Sequence, residues 1–121
     1  MITMTQILHK HPPALSIRAG KLARQLIQSE GLQAEQVDIV PGAAGGPKGI
    51  GIQGLDQAIF GEFFARAPQR RTLIGSSIGS WRFASILAHG AKAGTERLGE
   101  LYTNLYFDKK MQRQEVSDIC R

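Results

Sequence analysis

An α/β fold with parallel strands, incomplete within this chain, is what the sequence predicts. Three observations carry that expectation: two short β-forming runs at residues 37–40 and 72–74, a helix-spaced apolar stretch between them, and an apolar helix directly after the second run. Strand, helix, strand is a βαβ unit, so the two strands should lie parallel with a right-handed crossover between them. Two strands alone do not make a stable parallel sheet covered on both faces. The chain is therefore expected to be a fragment, or a subunit that needs more chain.

The elements follow in order. After Pro12-Pro13, the residues Leu15, Ala19, Leu22, Ala23, Leu26 and Ile27 recur at helical spacing, and Gly31 is a natural stop. Val37-Asp38-Ile39-Val40, bounded by Pro41-Gly42, reads as the first strand. Pro47 suits the first turn of a helix, where its missing N–H costs nothing, and Ile52, Leu55, Ile59, Phe60 and Phe63 then share a face that ends before Pro68. Thr72-Leu73-Ile74 is the second strand. Residues 78–88 form a helix that is apolar nearly all round, ended by Gly90, and such a helix belongs inside a larger body. Thr95 can cap a last helix bearing Leu98, Leu101, Tyr102, Leu105 and Tyr106, and the polar tail from residue 108 onward has no closing element.

Composition narrows the class. With 121 residues and 42% hydrophobic content the chain suits one small domain, and its formal charge of +5 favours anionic surfaces. The charge is scattered, however. The patches at Arg66, Arg70 and Arg71 and at Lys109, Lys110 and Arg113 read as solvated faces, and no aromatic residue interleaves with them as a nucleic-acid groove would require. The one cysteine, Cys120, cannot form an internal disulfide. No leader pattern and no apolar run of about 20 residues is present, so the expected setting is cytoplasmic.

The chemistry concentrates in two glycine-rich stretches. In RRTLIGSSIGSWRF, Ser77 alone has glycine at both minus two and plus two, Gly75 and Gly79, and so fits G-x-S-x-G. Such glycines remove Cβ atoms that would collide where a strand turns sharply into a helix and leaves the serine exposed on a strained backbone. In PGAAGGPKG the amides of Gly45 and Gly46 can approach a ligand closely, as donors to an oxyanion must. In a parallel βαβ unit both loops leave the carboxyl ends of their strands, where open α/β sheets place their sites. Two motifs become one site.

At these two stretches the sequence resembles the patatin-like phospholipases, which carry a G-G-G-x-[KR]-G loop after the first strand and a G-x-S-x-G elbow after the next. A-G-G-P-K-G at residues 44–49 and G-S-S-I-G at residues 75–79 look like those two motifs. The resemblance covers residues 37–90 and makes residues 1–121 the N-terminal portion of a patatin-like hydrolase domain. It implies an αβα sandwich that hydrolyses lipid esters through a Ser-Asp dyad, with no histidine, metal or cofactor. It implies Ser77 as nucleophile, Gly45 and Gly46 as oxyanion donors, and Lys48, Gly49, Gly75 and Gly79 as motif residues, with Lys48 structural. Ala44 departs from the pattern, standing where the family usually has its first glycine. The implied partners are a lipid or acyl ester and a transient membrane surface, with no nucleic acid and the oligomeric state left open.

The base is missing from this scheme. The family's aspartate lies in an Asp-Gly pair downstream, and the chain contains none. His89 follows Ser77 on the same helix, about 18 Å along its axis at about 1.5 Å per residue, so it cannot reach. His9 and His11 precede the first helix, Asp38 enters its strand away from the site edge, and Asp56 lies along the second helix. Only Asp108 and Asp118 are free to fold back. The aspartate is therefore expected outside this chain, and the chain alone is expected to be a poor hydrolase or none.

Rival classes fare worse. A Walker loop needs G-K-[ST], and Pro47-Lys48-Gly49 stands there instead. The G-x-G-x-x-G of residues 49–54 should fall within the helix rather than at the strand's end, where its glycines permit close helix packing. The histidines and the cysteine lack metal-ligand spacing. The remaining alternative is a noncatalytic lipid- or partner-binding fragment of the same fold, which needs the pocket but no base.

Overall fold

A computed structural model of the chain describes residues 14–108, 110–119 and 121. The expectations placed on Pro12-Pro13, His9, His11, Lys109 and Cys120 lie outside the described residues. The chain divides into two compact units, Met1–Gln33 and Ala34–Arg121.

In the first unit the helix α1 spans Lys21–Glu30 and ends, as expected, at Gly31, which takes φ 77°. Its start is a correction: residues 15–20 are not helical. Gly20 holds an extended conformation (ψ 166°) at the N-cap, and glycine's backbone freedom makes it a poor site for helix to continue through. Leu15 and Ala19 are therefore left outside the helix.

The second unit contains a two-stranded parallel sheet with four α-helical segments before its last short helix at the C-terminus. Strand β1 is Ile39–Gly42 and β2 is Thr72–Gly75, paired in register from Ile39 with Thr72 to Gly42 with Gly75. The first strand is displaced by two residues from its expected span. Pro41 and Gly42 lie within it rather than bounding it, because a proline without an N–H is tolerated where a strand has an open edge. Val37 is instead held by side chains: its carbonyl accepts from Arg71 Nε at 2.9 Å and Gln69 Nε2 at 3.1 Å.

The stretch expected as one helix after the glycine loop is broken. It forms α2 (Lys48–Gly51) and α3 (Gln53–Ala58), then a π-helical turn Ile59–Phe63 and a 3-10 turn Phe64–Arg66. Pro47 stands at the N-cap of α2, one residue before the first turn in which it is expected, with a helical φ of −56°. Three glycines between residues 49 and 54 weaken helical continuity, and the break falls at Ile52, which holds φ −101° and ψ 17°. Of those glycines only Gly49 serves close packing, being buried with Ile78 against it; Gly51 and Gly54 face open space.

Helix α4 runs Ile78–His89 and α5 runs Ala91–Asn104, separated by Gly90 at φ 86°. Gly90, not Thr95, caps α5. Thr95 is buried one turn inside, its hydroxyl donating to the carbonyl of Ala91 or Lys92 and accepting from Gln57 Nε2 at 2.9 Å. The tail is also a correction, since α6 forms over Arg113–Ile119.

The core is small. One cluster centres on Ala34, Phe64 and Ala67 with Val37, Val40, Ile59, Phe60 and Phe63 packed around them, Phe60 meeting Phe64 edge-on at 5.4 Å between centroids, and Ile78, Phe83, Ile86 and Leu98 of α4 and α5 are buried as well. Arg71 closes one side: it lies 4.2 Å over the Phe64 ring and donates to the carbonyls of Ala34, Val37 and Ala67. Alternation along the strands buries Gly42 and half-buries Val40 and Leu73, while Ile39, Pro41, Thr72 and Ile74 on the other face are exposed. The unit is thus an α/β body with one sheet face packed. On α4 the expected all-round apolar character holds in sequence only, since Trp81 and Leu87 remain exposed. No helix among the described residues is long and apolar enough to cross a membrane.

Candidate functional site

The backbone at Ser77 is the most unusual feature of the chain. Ser77 holds φ 52° and ψ −123°, and among the described residues it is the only non-glycine at positive φ. A conformation of this kind costs about 1–3 kcal/mol and persists only where the surroundings over-determine it. Here they do. Ser76 N–H donates to the carbonyl of Gly42 at 2.9 Å, Gly79 N–H to Ser76 at 3.0 Å and Ser80 N–H to Ser77 at 2.9 Å. A Cβ on Gly75 would stand 2.5 Å from Ser80 Cα, and one on Gly79 would stand 2.6 Å from the carbonyl carbon of Gly42. Both glycines are required by backbone, not by side chains that could move aside.

Ser77 occupies the N-cap of α4, but its hydroxyl makes no capping bond. A serine there ordinarily turns its oxygen onto an amide of the first turn. The reversed φ leaves Oγ without a hydrogen-bond partner among the described residues, and the residue is exposed. The positive end of the twelve-residue helix lies behind it, where negative charge is favoured.

The glycine loop leaves β1 at the same sheet edge, because Gly42 is in register with Gly75. Gly42 also packs on the elbow helix: a Cβ there would meet Phe83 Cε2 at 2.7 Å and Gly79 Cα at 3.3 Å. Beyond it, Gly45 accepts from Lys48 N–H at 3.3 Å and Gly46, at φ 54°, accepts from Gly49 N–H at 3.0 Å. The amides of Gly45 and Gly46 themselves donate to nothing among the described residues. Lys48 is exposed with its stem beside Gly45, and it has no ion-pair partner among the described residues. A cavity of about 290 Å³ opens along the loop, lined by Gly42, Ala43, Ala44, Gly45, Lys48 and Arg82 among others; Ser77 is not on its wall. A larger cavity of about 420 Å³ belongs to residues of the first unit, such as Arg24 and Gln28, and contains no motif residue.

Sequence reasoning missed the link between the two halves. Asp56 of α3 and Arg82 of α4 are both buried and form a bidentate pair, Nε to Oδ2 at 2.7 Å and Nη2 to Oδ1 at 2.6 Å. Arg82 lies five residues beyond Ser77, and its stem passes Gly49, where a Cβ would meet Cδ at 3.3 Å. The pair joins α3, the second helical segment after the loop, to the helix that follows the elbow. The signal was present only as two charges on otherwise apolar faces, 26 residues apart in sequence.

No carboxylate or imidazole hydrogen-bonds to the Ser77 hydroxyl among the described residues. Asp56 is committed to Arg82, Asp108 accepts from Lys110 N–H at 3.2 Å, and Asp118 accepts from Gln114 Nε2 at 3.1 Å. The described residues hold no group of three potential metal ligands. Comparison with protein-family models, with curated proteins and with solved structures finds no match.

Proposed function

We propose that this chain is the nucleophile-bearing portion of a patatin-like acyl ester hydrolase, an αβα sandwich acting on lipids in the cytoplasm and meeting its substrate at a membrane surface. The observation that carries the reading is the Ser77 backbone, an exposed serine at φ 52° on a strand-to-helix turn, held by Gly75 and Gly79 with its hydroxyl unspent. Strain of this type is kept where it aims a group.

In this scheme Ser77 Oγ attacks the ester carbonyl and the carbonyl oxygen gains negative charge. The unpaired amides of Gly45 and Gly46 are the donors for that oxygen, and their worth lies in being fixed before charge develops. Lys48 holds the loop through its backbone bond to Gly45. The serine proton needs a base within hydrogen-bond reach, and the reading assigns it to an aspartate outside residues 1–121. Oxyanion donors without a base leave a weak catalyst, so the chain by itself is expected to turn over esters poorly.

Labelling with an alkyl fluorophosphonate tests the scheme. Protein expressed from the complete reading frame should carry one adduct, located by mass spectrometry at Ser77, and Ser77→Ala should carry none. An unreactive Ser77 in that protein would overturn the hydrolase. It would favour the second reading, a noncatalytic lipid- or partner-binding module, which needs no base and is supported by Asp56, Asp108 and Asp118 all being bonded elsewhere.

A further inference from the structure

Helix α5 brings one polar atom to the glycine loop, and the sequence pattern gave it no such part. Three contacts fix the helix. Ser85 Oγ donates to the carbonyl of Gly94 at 2.7 Å, Gln57 Nε2 donates to Thr95 Oγ1 at 2.9 Å, and Gly99 is pressed so closely on Gln53 that a Cβ would stand 2.9 Å from its Oε1. These anchors climb one face of α5 from residue 94 to residue 99, against α4 and α3 in turn. Three residues further along, on the same side of a 3.6-residue helix, stands Tyr102.

The Tyr102 hydroxyl ends beside Gly46, where a Cβ would lie 3.5 Å from it. Gly46 is the loop glycine at positive φ, with an amide that donates to nothing among the described residues. Tyr102 is half-buried, and its hydroxyl has no hydrogen-bond partner among the described residues. It is not sealed away either, since those residues contain no buried polar side-chain atom lacking a partner. A tyrosine on a core-facing stripe normally satisfies its hydroxyl within the protein or turns it to bulk water. This one is open to water, and the anchored helix sets it beside a loop whose own donors are free.

Resting on the acyl-hydrolase reading, we infer that Tyr102 is a substrate-contacting residue: its hydroxyl donates a hydrogen bond to an oxygen of the acyl ester held at the Gly45–Gly46 amides. The hydroxyl would distinguish esters from ligands lacking an oxygen there. A group that finds no partner in the free protein and gains one with substrate contributes to binding or reaction without contributing to folding.

Tyr102→Phe in the protein from the complete reading frame separates these roles. The rate of fluorophosphonate labelling at Ser77 should fall roughly tenfold, the worth of one lost hydrogen bond, while the melting temperature stays unchanged. Labelling at the parent rate would overturn the role of Tyr102 and leave the hydrolase reading standing. A lower melting temperature in parallel with slower labelling would overturn it too, by making the hydroxyl a structural one. If the parent protein is not labelled at all, the hydrolase reading falls and the Tyr102 role with it.

Discussion

At the elbow, the chain from Gly75 to Trp81 is fixed by its own backbone: hydrogen bonds to Gly42, Ser76 and Ser77, and two glycines packed against main-chain atoms. At the glycine loop, which leaves the neighbouring strand at the same sheet edge, residues 43–48 are mostly exposed, with amides to spare. One half is over-determined and the other is open. The difference matches what each would do, since an attacking oxygen needs one fixed direction, whereas donor amides must be held in place yet left unpaired until a ligand arrives. Each half can be broken separately, and the size of the loss should tell them apart.

The largest effect is expected where the halves are joined. Asp56→Ala leaves Arg82 buried without its partner, an uncompensated charge that costs about 3–5 kcal/mol. Such a loss is large beside the total stability of a small domain, so urea denaturation should show the protein largely unfolded or its midpoint sharply lowered. Asp56→Asn, which keeps one acceptor, should lose less. A midpoint within error of the parent for Asp56→Ala would show that the pair does not hold the two halves together.

Next comes the elbow itself. Gly79→Ala forces a methyl against the Gly42 carbonyl, and overpacking of this kind costs about 1–3 kcal/mol. Because the obstacle is backbone, relief requires β1 and α4 to move apart, so labelling at Ser77 should be lost even in molecules that remain folded. Retained labelling with normal stability would mean that the close approach is not needed to aim the serine.

Ser77→Gly reverses the sign. Glycine adopts φ 52° freely, releasing about 1–3 kcal/mol of strain against its own entropic cost of about 0.5–1 kcal/mol. A net gain of about 1 kcal/mol should raise the melting temperature by about 4 °C, while every trace of reactivity disappears. A stabilised, unreactive variant is the mark of a site where function is held at the expense of stability. A melting temperature equal to or below that of the parent would remove the strain argument.

What the sequence disclosed, and what it hid, follows the same division. The elbow was legible because strand, tight turn and helix are local events, written within residues 72–90 by Leu73, Ile74, the spaced glycines and the apolar helix. The parallel pairing followed from chain order alone. The Asp56–Arg82 pair was not legible, because nothing local says which buried charges will meet across two helices. Thr95 misled for a related reason: threonine is a good cap, but Gly90 made the turn and left Thr95 to bond Gln57 inside. Pro41 misled because its cost depends on whether a strand has a neighbour on that side, a property of the sheet rather than of the residue. Tyr102 read as one more apolar-stripe residue, since only tertiary packing carries its hydroxyl to Gly46.

Among changes at the elbow and the loop, the smallest effect on stability, and the sharpest test of the loop, is expected from Gly45→Ala. Gly45 is not at positive φ, and its added Cβ would meet only the Lys48 stem, at an ordinary 3.6 Å. The change should therefore cost less than about 0.5 kcal/mol, the range of surface substitutions that disturb no special feature. If the loop's openness exists only to let an ester oxygen reach the amides, the methyl should nevertheless slow labelling at Ser77 by about tenfold or more, because one mispositioned oxyanion donor costs up to 10²–10³ in rate. Gly46→Ala is the control: its φ of 54° makes the same methyl cost about 1–2 kcal/mol in folding as well. A Gly45→Ala protein that folds and labels like the parent would mean that the loop's free amides face nothing the reaction uses.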